Sequence, residues 1–181
     1  MGAEREQSKC KLTECQTFVV SKYLHQLQQA LPRVSPIQED ALRSLHAAQD
    51  YKGFVAFIKK TMKIECRLIV AWVNSGASKG MEDAPAWIRT PDPMPLYGTK
   101  AFRELTLTMF LRKSKIEQWS YDQMAIVVAH ELSHVVLNSI GHPLRGCEKA
   151  VDLTAMVLGF RRLYVSGSYK EPCLSGCLTI S

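Results

Sequence analysis

Tyr121-Asp122-Gln123-Met124-Ala125-Ile126-Val127-Val128-Ala129-His130-Glu131-Leu132-Ser133-His134-Val135-Val136-Leu137-Asn138-Ser139-Ile140 contains no Pro or Gly and reads as one helix. Ser120 supplies an N-cap and Gln123, three residues on, completes a capping box. Gly141 and then Pro143 stop it, a C-terminal glycine followed by a residue that cannot continue a helix. The run 124–129 is apolar on every side, so the helix is expected to be buried. Within it His130 and His134 stand four apart and share a face, one turn above the other. Glu131 lies about 100° around the helix from His130, placed to hold a water rather than a metal ion.

Two imidazoles and a carboxylate at this spacing are what a hydrolytic zinc site needs. Zinc lowers the pKa of the water it binds toward ~7, and a carboxylate base makes that water a nucleophile. The plainer reading is a pair of polar residues with satisfied hydrogen bonds. Burying His130, Glu131 and His134 in an apolar helix without partners is costly, however, and a metal ion removes that cost. Catalytic zinc sites take three protein ligands and keep one position open. Glu148 and His142 compete for the third place. Glu148 and Asp152 again stand four apart on one helical face. Asp152 falls among Val151, Leu153, Ala155, Met156, Val157 and Leu158, where an unpaired carboxylate would be expensive. His142 follows His134 by eight residues, whereas the metzincin pattern places its third His six after the second, with a Gly between. His142 is expected in the turn beside Pro143, at the mouth of the site.

The helix with His130-Glu131-Leu132-Ser133-His134, a short turn, then Glu148 with Asp152 four later, resembles the gluzincin zinc metallopeptidases, the thermolysin-like class. Within that class it is most similar to compact intracellular members, the ImmA/IrrE-type and HtpX-like peptidases. The likeness covers roughly residues 105–160. It implies Glu148 as the third zinc ligand and Asp152 as acceptor from the far ring nitrogen of a ligand His, His130, whose tautomer it fixes. It implies amide hydrolysis of a protein or peptide substrate by a metal-activated water, with Glu131 as general base. Zinc is the expected ion, with manganese second. Gluzincins also use a His, Tyr or Arg to stabilise the oxyanion, and Tyr164, Arg161, Arg162 and His142 are the candidates. In zincins an extended substrate pairs with a sheet edge, which puts the substrate beside strand 105–111 if that strand has a free edge. The alternative function is a metal-binding regulatory or effector module with little turnover, acting through one protein partner. The intact Glu131 argues against it.

The remaining chain sets the frame. Its 181 residues, 46% hydrophobic, support one ordinary domain, with residues 1–12 a flexible N-terminus and 13–181 a single zincin-like unit. No signal peptide or myristoylation pattern opens it, and no run is long and apolar enough to span a membrane. Six cysteines at 10, 15, 66, 147, 173 and 177 form no close pair, so reduced thiols and a cytoplasmic setting are expected, with Cys173 and Cys177 a weak cross-link or second metal site. The net charge of +6 is spread in small clusters without aromatic interleaving or a nucleic-acid motif, which gives no case for direct nucleic-acid binding.

Helices are expected over 17–31, from Ser35-Pro36 to about Ala48, and after an Asp50 cap through Met62. Residues 66–73 read as a largely buried strand, 74–85 as a loop, 86–89 as a short strand, and 105–111 as an alternating strand. Helices, a small mixed sheet, then two site-bearing helices make an α+β zincin-like arrangement.

Overall fold

The computed structural model describes residues 14–74 and 84–166. Helix α1 spans Glu14–Ala30, α2 Glu39–Ala47 and α3 Tyr51–Thr61. Strands β1 (Arg67–Val73), β2 (Ala86–Ile88) and β3 (Thr106–Arg112) follow, with short helices α4 (Lys100–Glu104) and α5 (Lys113–Ile116) on either side of β3. Helix α6 covers Tyr121–Ser139 and α7 Glu148–Ala155; a π-type turn, Met156–Phe160, leads into α8, Arg161–Val165. The chain is thus an α+β domain with a three-stranded mixed sheet. The readings of residues 1–12 and of Cys173 and Cys177 lie outside the described residues, as does most of the expected loop 74–85.

Local capping chemistry sets several boundaries. Asp50 Oδ1 accepts from the Gly53 N–H at 2.9 Å and starts α3 where expected. Thr99 Oγ1 accepts from Phe102 N–H and starts α4, an element too short to show in the sequence pattern. The Ser35-Pro36 start of α2 is corrected: the helix begins only at Glu39. Instead, Ile37 N–H donates to the Gly159 carbonyl at 3.0 Å, so a long-range bond to the π-type turn holds residues 35–37 out of the helix.

The sheet order is β1-β3-β2, with β1 parallel and β2 antiparallel to β3. Two expectations are corrected here. Strand β3 is the middle strand: β1 pairs along its whole length and β2 covers Met109–Leu111 on the other side. Its alternation of buried Leu107, Met109 and Leu111 with Thr residues reports which face is buried and says nothing about edges. Strand β1, read as buried from its apolar run, is instead an outer strand with Ile69 54% exposed and Trp72 37% exposed.

Helix α6 runs through the core, with Met124, Ala125, Val128, Ala129, Leu132, Val135 and Leu137 fully buried. Its polar members are satisfied locally: Ser133 and Ser139 hydroxyls donate to the carbonyls of Ala129 and Val136. The capping box forms, with Ser120 N–H donating to Gln123 Oε1 at 3.1 Å. At the other end Gly141 takes φ +60°; its N–H donates to Asn138 and that of His142 to Leu137, the paired bonds of a Schellman stop. This tight ending turns the chain back within a few residues, so α7 packs against α6 and brings its first residue, Glu148, to the two histidines. Among the described residues no helix is long and apolar enough to cross a membrane.

Candidate metal centre

His130 and His134 leave α6 on one face, their rings edge-to-face with centroids 5.0 Å apart. Glu148 reaches them from the first turn of α7. Its Oε2 lies 3.2 Å from His130 Nε2 and 3.5 Å from His134 Nε2. One ligand-capable atom from each of these three residues lies within 4.8 Å of the other two, and this is the group of its kind among the described residues. In a tetrahedral zinc site with bonds of about 2.0–2.1 Å, neighbouring donors stand about 3.3–3.4 Å apart. The two Glu148 separations bracket that edge, so His130, His134 and Glu148 could together hold a metal ion. The Glu148 side chain is 42% exposed against 16% for His130, which makes Glu148 the side open to solvent.

A second layer orients the first. His130 Nδ1 lies 2.9 Å from Asp152 Oδ1, which fixes the Nδ1–H tautomer and leaves Nε2 as the free donor atom. The same Asp152 oxygen accepts from Tyr164 O–H at 3.2 Å. Twelve residues of unbroken helix would rise about 18 Å, out of reach of such a bond. The turn at Leu158 and Gly159, where Gly159 takes φ +102°, folds α8 back so that Tyr164 reaches Asp152. Burial on its own would lower the His130 pKa, but the hydrogen bond and charge of Asp152, with Glu131 and Glu148, outweigh it and raise it. Burial and the neighbouring His130 lower that of His134, favouring the neutral ligand form.

Glu131 sits one position on from His130, and its Oε2 accepts from the backbone N–H of Ile88 at 3.2 Å. Burial pushes its pKa up to about 7, against the pull of His130 and the Ile88 hydrogen bond. The geometry of the sheet explains this contact. Arg112 N–H donates to the Pro85 carbonyl, so in the antiparallel ladder Trp87 bonds to β3 while Ala86 and Ile88 turn their backbone groups outward. Strand β2, not β3, is therefore the sheet edge beside the site, with Ala86 and Trp87 buried and the Ile88 N–H engaged by Glu131.

The remaining candidates stand outside the group of His130, His134 and Glu148. His142 is buried in the turn after α6, its Nδ1 accepting from Leu144 N–H, and it stands outside the three-residue group. Arg161 lines a groove between α1 and the end of α7, and Arg162 pairs with Glu39 at 3.6 Å. Tyr164 acts on Asp152, a contact that its expected oxyanion role did not anticipate. The Ile88 contact was missed altogether. It is a backbone donor 43 positions from its acceptor, and no side-chain motif can announce it.

No family model, no curated protein and no solved structure matches this chain.

Proposed function

We propose that this chain is a zinc-dependent metallopeptidase of the gluzincin type. The observation that carries the proposal is the convergence of His130 Nε2 and His134 Nε2 on Glu148 Oε2, with Glu131 held beside them by β2. When bound, zinc supplies Lewis-acid polarisation and acidifies water. The rest of the work falls to the chain. Glu131 takes the proton of the attacking water and returns it to the leaving nitrogen as the C–N bond breaks. Asp152, itself held by Tyr164, keeps the His130 ring in one orientation through both steps. An extended peptide lies beside Ile88, the one residue of β2 that is not buried, whose carbonyl turns away from β3.

The test is cleavage of a mixed peptide library by the zinc-loaded full chain, read by mass spectrometry beside the chelated protein and Glu131→Gln. New termini that need both zinc and Glu131 support the proposal. Tight zinc binding with no cleavage of peptides or of proteins from a cell extract, and no difference on Glu131→Gln, would replace it with the binding-module reading.

A further inference from the structure

The second open edge of the sheet belongs to β1, which packs beneath α3, away from the contact between β2 and α6. Arg67 N–H donates to the Leu105 carbonyl at 2.8 Å, with Arg67 opposite Thr106 in the parallel register. In a parallel ladder both backbone groups of a residue bond the same neighbour, so Arg67, Ile69, Ala71 and Val73 face β3. Leu68, Val70 and Trp72 therefore turn their N–H and carbonyl groups outward, and among the described residues none of these groups has a partner.

A groove of about 420 Å³ follows this edge. One wall is α3, where Lys52, Val55, Ala56 and Lys59 recur at helical spacing on one face. Neither lysine has a carboxylate within ion-pairing distance among the described residues, and the groove lining includes no acidic side chain. The other face of the strand carries Ile69, 54% exposed, and Trp72 at the end of the strand stays 37% exposed even though it packs edge-on against Tyr51.

We propose that the outer edge of β1 is a strand-addition site for an extended segment of a protein partner, acidic at alternate positions and apolar between them. An added strand alternates its side chains as β1 does. One set would enter the groove between Lys52 and Lys59, where carboxylates meet the two ammonium groups. The other set would lie beside Ile69 on the opposite face. The outward backbone groups supply affinity, and the two faces supply selectivity. Lysines also guard edge strands against self-pairing, but such guards sit on the strand itself. Here the outward-turned positions of β1 are Leu68, Val70 and Trp72, with no charge, Pro or bulge among them. The lysines stand on the neighbouring helix, where they leave backbone pairing unobstructed.

The test uses the full chain and fluorescence anisotropy with two short labelled peptides, one alternating Glu and Val, the other alternating Lys and Val. The acidic peptide is expected to bind about tenfold more tightly or better, from two charge pairs, and to weaken with salt. The double variant Lys52→Glu, Lys59→Glu should reverse the preference while keeping its thermal unfolding cooperative. Val70→Pro removes one outward N–H and no bond to β3, and should lose both peptides. Equal binding of the two peptides, or unchanged binding by Val70→Pro, overturns the proposal. So does binding of neither peptide with self-association of the double variant, which would make the lysines edge guards only. A wild-type dimer in sedimentation that Val70→Pro returns to monomer would assign the edge to a second copy of this chain and overturn it too.

Discussion

The backbone N–H of Ile88 donates to Glu131 Oε2, so the edge strand of the sheet holds the proposed base at a fixed height above the two histidines. Because Ile88 turns this group away from β3, Ile88→Pro deletes the hydrogen bond without touching the ladder. A hydrogen bond to a charged group contributes about 1.5–3 kcal/mol, so kcat is expected to fall about tenfold to a hundredfold. Metal content should stay unchanged. Steady-state kinetics with parallel metal analysis reads both, and loss of metal in this variant would show that Ile88 supports the ligands rather than the base.

Asp152 serves two donors through one oxygen, His130 Nδ1 and Tyr164 O–H. Asp152→Ala is expected to weaken zinc binding by about 10–100-fold, the usual cost of removing an orienting carboxylate behind a ligand histidine. Tyr164→Phe keeps the carboxylate and should cost less. Competition against a chelator of known affinity ranks the three proteins, and equal affinities would deny Asp152 its orienting role.

Gly159 and Gly141 both take positive φ, yet they differ in space. A Cβ at Gly159 would stand 2.8 Å from the Ser35 backbone carbonyl oxygen, while one at Gly141 would meet nothing within 4 Å. Gly141→Ala should therefore carry only the left-handed conformational cost of about 1–2 kcal/mol. Gly159→Ala adds a backbone clash and disturbs the Ile37 N–H bond to its carbonyl, so it should unfold at clearly lower urea. It should also lower zinc affinity, because the same turn delivers Tyr164 to Asp152. Equal midpoints for the two variants would contradict this.

Burial raises the pKa of the Cys66 thiol, against the pull of Lys59. In the unfolded chain the thiol ionises at its ordinary value of about 8.5, before the folded protein gives up its proton. The unfolded state then binds fewer protons, so stability falls as pH rises above that value. Cys66→Ala should flatten this alkaline slope in urea titrations. Iodoacetamide at pH 8.5, mapped by mass spectrometry, should label half-exposed Cys147 and leave Cys66 untouched until urea unfolds the protein. Native labelling of Cys66 at the rate of Cys147 would contradict the burial argument.

What the sequence disclosed follows how local each signal is. Helix α6 is written in side chains close together: the cap at Ser120, the unbroken apolar run, the stop at Gly141. The shared face of His130 and His134 followed from their four-residue spacing, while Glu148 as their neighbour was implied only by the family resemblance. The α2 start was misread because Ser35-Pro36 is a good local start signal that a long-range bond to Gly159 overrides. Strand order was not readable. Apolar alternation tells which face of β3 is buried, but whether a strand lies at the middle or the edge depends on partners far along the chain. For that reason β1 and β3 exchanged their expected places. The Tyr164 contact depends on the Gly159 turn, and the Ile88 contact on strand pairing, so neither has a motif of its own.

Metal analysis of the purified wild-type chain beside His134→Ala, Glu148→Ala and His142→Ala tests the proposed metal centre most directly. One zinc ion per wild-type chain is expected, retained by His142→Ala and lost by His134→Ala and Glu148→Ala. A wild-type chain with no stoichiometric divalent metal, or a Glu148→Ala variant that keeps its zinc while His142→Ala loses it, would contradict the proposed ligand set.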